Sequence, residues 1–96
     1  MSPSELEDQI LDADASGNKL RVDALLLGAI KNLKSNKAKP DTIMIMNLIY
    51  LAKSRPEFFL SNRVVEVSWD LITYCRLYNV IIYFCLYLKI LILNIS

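Results

Sequence analysis

The side chains in this sequence that suit chemistry fall into four small groups. Asp8, Asp12 and Asp14 are hard oxygen donors of the kind that bind calcium or magnesium. Asp8 and Asp12 share a helix face, but no loop supplies the remaining oxygens. The expectation is a solvated acidic face. Lys31, Lys34, Lys37 and Lys39 form a basic cluster of the kind that contacts phosphate or RNA. No aromatic stacking platform is interleaved with it. Lysines in the last turns of a helix also suit the helix dipole. The cluster therefore reads as a helix end followed by a solvated loop, and no direct contact with nucleic acid is expected. Met44 and Met46 suit an adaptable partner surface, but inside an apolar run they read as core filler. Cys75 and Cys85 have no CxxC spacing and no His to accompany them, which argues against a zinc site and against an activated nucleophile. Ten residues of helix would hold their thiols about 15 Å apart, too far for a disulfide. No residue is expected to be catalytic, cofactor-binding or metal-ligating, and no cofactor is implied.

The elements that carry these residues are short amphipathic helices. Ser4 and Glu7 have the S-x-x-E spacing of a capping box. Leu6, Ile10 and Ala13 follow on one face, which predicts a first helix over about residues 5–15. Gly17-Asn18 is its stop, because both residues tolerate positive φ. Val22, Leu25, Leu26, Ala29, Ile30 and Leu33 keep the 3.6-residue period of a second helix. Gly28 inside that helix costs about 1 kcal/mol relative to Ala, and a close helix–helix approach would explain it. Asp41 is the expected N-cap of a third helix, with Pro40 before it. Residues 43–52 are apolar nearly all round, so this helix is expected to be buried between neighbours on two sides. Pro56 ends it, Phe58 and Phe59 anchor a short turn, and Ser61 caps a fourth helix beginning near Asn62.

The fold class expected is all-α: a four-helix α-solenoid fragment of HEAT or armadillo type, its last helix running into an apolar C-terminal tail. Ninety-six residues allow one domain at most, and a formal charge of +1 gives no single-sign field for an acidic or nucleic-acid partner. The acidic, polar N-terminus does not read as a secretory signal.

Composition changes abruptly at Val67. Residues 68–96 contain no Ala, Gly, Pro, Glu, Gln, Met or His, yet hold both Cys, the only Trp and four of the five Tyr. Residues 1–67 carry nine acidic and nine basic residues and have an ordinary soluble composition. Three readings of the tail follow. Residues 77–95 are long enough to span a bilayer, although Lys89 would cost about 2.5–3.5 kcal/mol near the midplane unless it snorkelled. A buried core helix would need cover all round, which this short chain does not promise. Translated intron is the third, and the one expected here. Ile, Leu, Tyr, Phe, Asn and Lys are what A/T-rich DNA encodes, and Val67-Ser68 can be written GTA-AGT, a splice-donor sequence.

Residues 3–66 resemble the N-terminal region of the Integrator complex subunit 1 family. The resemblance rests on residues 25–33 (LLLGAIKNL), Ala38-Lys39-Pro40-Asp41, Tyr50-Leu51-Ala52-Lys53, Pro56, Phe59 and Val64-Val65-Glu66, in register. It stops where the composition breaks. It implies a division into a helical segment, residues 1–66, and a tail, residues 67–96. It implies a nuclear, non-catalytic scaffold role in a complex that processes small nuclear RNA 3′ ends and attenuates transcription by RNA polymerase II. The implied partners are other Integrator subunits and the polymerase machinery; the endonuclease of that complex is a different subunit. The alternative, from another class, is a small tail-anchored membrane protein spanning through residues 77–95, the only reading in which a membrane is a partner.

Overall fold

The computed structural model describes residues 3–35, 42–74 and 79–94. Those residues form α1 (Pro3–Ala15), α2 (Lys19–Ser35), α3 (Thr42–Ser54), a 3-10 turn (Pro56–Phe59), α4 (Asn62–Tyr74) and α5 (Asn79–Leu93). The chain is all-helical over these segments, as expected.

Local chemistry sets most of the boundaries. α1 starts at Pro3, two residues before the expected position, because a proline ring is pre-organised for a first helical turn and removes only a donor that has no intrahelical partner there. The Ser4 side chain, and with it the capping box, lies outside the described residues. At the other end of α1, Gly17 adopts φ 75°. The Asn18 amide donates to the Ala13 carbonyl at 2.8 Å and the Gly17 amide to the Asp14 carbonyl at 2.9 Å. That pair of bonds is a Schellman closure. Asn18 then opens the next helix, its Oδ1 accepting the Arg21 amide at 3.1 Å. One Gly-Asn pair thus ends α1 and starts α2. Arg55 precedes proline and takes an extended φ of −135°, which stops α3. Ser61 caps α4 as expected, its Oγ accepting the Val64 amide at 3.3 Å. The expected caps at Asp41 and Pro40 lie outside the described residues.

Packing joins the helices into a closed ring. α1 lies against α2 and α3, α2 against α4, α4 against α5, and α5 against α3. The core at its centre takes Leu6 and Ile10 from α1, Leu26 and Ile30 from α2, Ile45, Leu48 and Leu51 from α3, and Val64 and Leu71 from α4. Phe58 and Phe59 of the 3-10 turn are buried beneath α2 and α3. α5 contributes Phe84, Cys85 and Leu88.

Three expectations need correction. Among the described residues there are five α-helices, not four, and the apolar C-terminal stretch forms a helix in the core instead of trailing from α4. The open groove between α3 and α4 accepts apolar side chains, so α5 covers what a four-helix stack would leave wet. α3 is not buried all round: Ile45, Leu48, Leu51 and Ala52 face inward, while Ile43, Met46 and Tyr50 are exposed on the opposite side. A helix in a single ring has an outer face whatever its composition. Gly28, finally, marks no close approach. A Cβ built there meets nothing within 4 Å.

Ser68 is the one fully buried polar side chain among the described residues, and its Oγ has no hydrogen-bond partner. Such a hydroxyl loses its hydration without compensation. Three substitutions should therefore separate in thermal or urea unfolding. Gly28→Ala should stabilise by about 1 kcal/mol, since helix propensity acts there without steric opposition. Ser68→Ala should also stabilise, by roughly 1 kcal/mol. Gly17→Ala should destabilise by about 1 kcal/mol, because an L side chain is strained at positive φ.

Candidate functional site

The side chains singled out for chemistry do not converge. Asp8 and Asp12 are exposed on α1, and Asp14 turns toward Arg55. No group of three or more His, Cys, Asp or Glu side chains gathers among the described residues. Lys31 and Lys34 are exposed near the end of α2, while Lys37 and Lys39 lie outside the described residues. Cys85 is a buried thiol, outside any disulfide, whose Sγ stands 4.0 Å from the Leu71 carbonyl oxygen. Cys75 lies outside the described residues. Met44 is half-buried against the core, in keeping with core filler, whereas Met46 is 58% exposed and does not fill the core.

What the structure does assemble is one electrostatic clamp and one apolar surface. The clamp centres on Arg55, at the junction of α3 and the 3-10 turn. Its Nη2 donates to Asp14 Oδ2 at 2.8 Å and its Nε to Glu57 Oε1 at 2.5 Å. Its guanidinium carbon lies 4.3 Å from the centre of the Phe58 ring, a distance at which the ring quadrupole attracts the cation. Arg55 therefore ties the end of α1 to the chain leaving α3, across 41 residues of sequence. The hydrogen bonds Arg55 donates to Glu57 and then to Asp14 push the guanidinium's pKa further above its ordinary value. The bond from Arg55, and after it a backbone amide, hold the Glu57 carboxyl below the usual carboxylate range. The clamp is a structural tie, since Arg55 already engages both carboxylates.

The surface lies on the outer side of α3 and α5. Ile43, Met46 and Tyr50 project from α3; Tyr83, Leu86, Ile90 and Leu93 project from α5. In each helix these residues recur at alternating spacings of three and four, the pattern of a helix–helix seam. Glu7 of α1, with Met46, Asn47 and Tyr50, lines a shallow open depression at the α3 edge. The side chain of Asn47 is turned back onto the Ile43 carbonyl at 3.0 Å. A broad apolar surface with few directed polar groups can hold another surface; it cannot hold a small reacting molecule in one pose. Sequence reasoning missed it because it assigned every apolar residue of the third helix to burial. The three-four spacing of Ile43, Met46 and Tyr50, out of phase with Ile45 and Leu48, was the available signal.

The chain is 40% identical over 70 residues to Integrator complex subunit 1 of Homo sapiens, and equally so to the Mus musculus protein. The match takes in 73% of this chain but 3% of each relative, so the chain spans a small fraction of the length of the proteins it resembles. No protein-family profile matches it. No solved structure matches it either.

The clamp carries a pH dependence with a definite sign. The folded Glu57 carboxyl titrates below its ordinary value of 4.5, so its contribution is present above that pH and is lost as pH falls through the folded value. Thermal midpoints of the parent and of Glu57→Gln should therefore differ at neutral pH, with the parent higher, and converge in acid. Arg55→Ala should lower the midpoint further than Glu57→Gln, since it also releases Asp14 and the Phe58 ring.

Proposed function

We propose that the helical segment is a non-catalytic scaffold piece of the Integrator subunit 1 kind, acting in the nucleus through contacts with other Integrator subunits and the RNA polymerase II machinery. Its role on this reading is structural support of small nuclear RNA 3′-end processing and transcription attenuation. The observation that carries the proposal is the 40% identity over 70 residues to a subunit of that complex. The all-helical fold and the absence of a converging reactive cluster among the described residues are compatible with a scaffold. The membrane alternative draws no support: no helix among the described residues is long and apolar enough to cross a membrane. α5 has 15 residues, where a span needs about 20.

We also propose that residues 67–96 are translated intron joined to that segment. The support is the composition change after Val67 and the splice-donor spelling available to Val67-Ser68. Core contacts made by α5 do not bear on this, because apolar side chains bury in an open apolar groove whatever the origin of their codons. Genomic DNA with an intron opening at codon 67, followed by an exon that resumes the match to the relatives, is the expected finding. Uninterrupted coding sequence in a mature transcript through codon 96, with no such exon, would contradict it.

The scaffold reading is tested by affinity purification of the tagged chain from human nuclear extract, with Integrator subunits quantified by mass spectrometry. Enrichment of those subunits over a control is expected. Leu26→Asp should abolish it, since an unpaired carboxylate in the core unfolds so small a unit, and Lys34→Glu should leave it intact. A correctly folded chain that recovers no Integrator subunit overturns the reading.

A further inference from the structure

We propose that the outer face of α3 and α5 is the contact surface of a twofold-symmetric dimer of this chain, in which α5 of one copy lies along α3 of the other. The inference concerns this polypeptide as it stands and rests neither on the scaffold reading nor on the origin of the codons for α5. It rests on the size, the pattern and the charge of that face.

Size comes first. Ile43, Met46, Tyr50, Tyr83, Leu86, Ile90 and Leu93 are each more than half exposed. Seven such residues are enough for the apolar centre of a standard-size interface, which buries roughly 800 Å² per partner. α3 and α5 are packed side by side, and in each helix these residues lie opposite the buried ones, so the two seams run along the outside of neighbouring helices. Exposed large apolar residues elsewhere do not form such a group: Leu20, 71% exposed on α2, stands outside it.

The pattern then specifies a helical occupant. Three-four spacing presents knobs to a partner helix, with the gaps between them as its holes. Each copy carries two such seams, one on α3 and one on α5. A twofold axis between them lets the α5 seam of each copy cover the α3 seam of the other, so a single isologous contact covers all four. A head-to-tail contact would leave one seam of each terminal copy wet.

Charge selects the pairing. Lys89 is exposed beside the α5 seam, and Glu7 borders the α3 depression. Neither has an ion-pair partner within the chain among the described residues. Laying α5 against itself would bring the two copies of Lys89 together. Laying it along α3 of the other copy brings Lys89 toward the opposite charge of Glu7. Lys53, exposed at the next seam position after Tyr50, closes that end of the α3 seam with a polar group.

Sedimentation velocity on the whole chain at a series of micromolar concentrations tests this. The expected result is a reversible species of twice the 11.0 kDa chain mass. Leu86→Lys and Ile90→Lys should each weaken dimerisation at least about tenfold, as expected of central interface residues, with the helical circular dichroism signal retained. Leu20→Lys should leave it unchanged. Lys89→Glu should weaken the dimer, and adding Glu7→Lys should restore it. A chain that stays monomeric throughout overturns the proposal, as does a dimer insensitive to Leu86→Lys and Ile90→Lys. Open-ended assembly, or a monomer that instead co-sediments with phosphatidylcholine vesicles, also overturns it by naming a different occupant. Failure of the charge exchange to restore a dimer weakened by Lys89→Glu contradicts the arrangement of α5 over α3.

Discussion

α3 has more apolar surface than a short helical stack can cover, and the rest of the fold is arranged around that excess. Its inward side, Ile45, Leu48, Leu51 and Ala52, needs cover from more than one direction. α1 supplies it on one flank and the 3-10 turn with Phe58 and Phe59 beneath. The other flank would face water if the chain ended with α4. Phe84, Cys85 and Leu88 of α5 fill it. Each large buried side chain of this kind contributes about 1.5–3 kcal/mol on transfer from water, a large share of the net stability available to a domain this small. Insertion of α5 converts an open stack into a closed ring. It also creates the exposed seam on the ring's outside, because a helix apolar on both faces cannot hide both in a single layer.

The parts of this fold that local chemistry decides were legible in the sequence. Gly17-Asn18 ends the first helix because the backbone there needs positive φ; that Asn18 also caps the second helix is seen only in the structure. Ser61 and Pro56 set their boundaries for similarly short-range reasons. The stripe from Val22 to Leu33 needed only the helical period. What failed were inferences about surroundings. Gly28 suggested a close neighbour, yet it faces open space. Its residue type reports a low helix propensity and says nothing of what lies opposite. The third helix was read as buried all round because its composition is apolar all round; composition fixes how much surface must be covered, not whether the chain supplies the cover. The Arg55–Asp14 bond links residues 41 apart and depends on how α1 and α3 dock, so no local pattern announces it.

The apolar stretch after Val67 shows the same limit from the other side. Its lack of any polar face argued against a packed helix, on the assumption that nothing was available to pack on it. The groove between α3 and α4 was available. Among the described residues, Asp8 and Asp12 of α1 are exposed, Asp14 meets Arg55, and Cys85 is buried with its Sγ 4.0 Å from the Leu71 carbonyl oxygen.

The central physical claim is that α5 is an integral wall of the core. Amide hydrogen exchange on the full chain, resolved to single helices, tests it most directly. If α5 closes the ring, the amides around Phe84, Cys85 and Leu88 exchange only through the same cooperative opening as those of α2 around Leu26 and Ile30, with equal protection. Rapid exchange throughout α5, beside slow exchange in α1 to α4, would contradict the account and return the C-terminal stretch to the status of an appended tail.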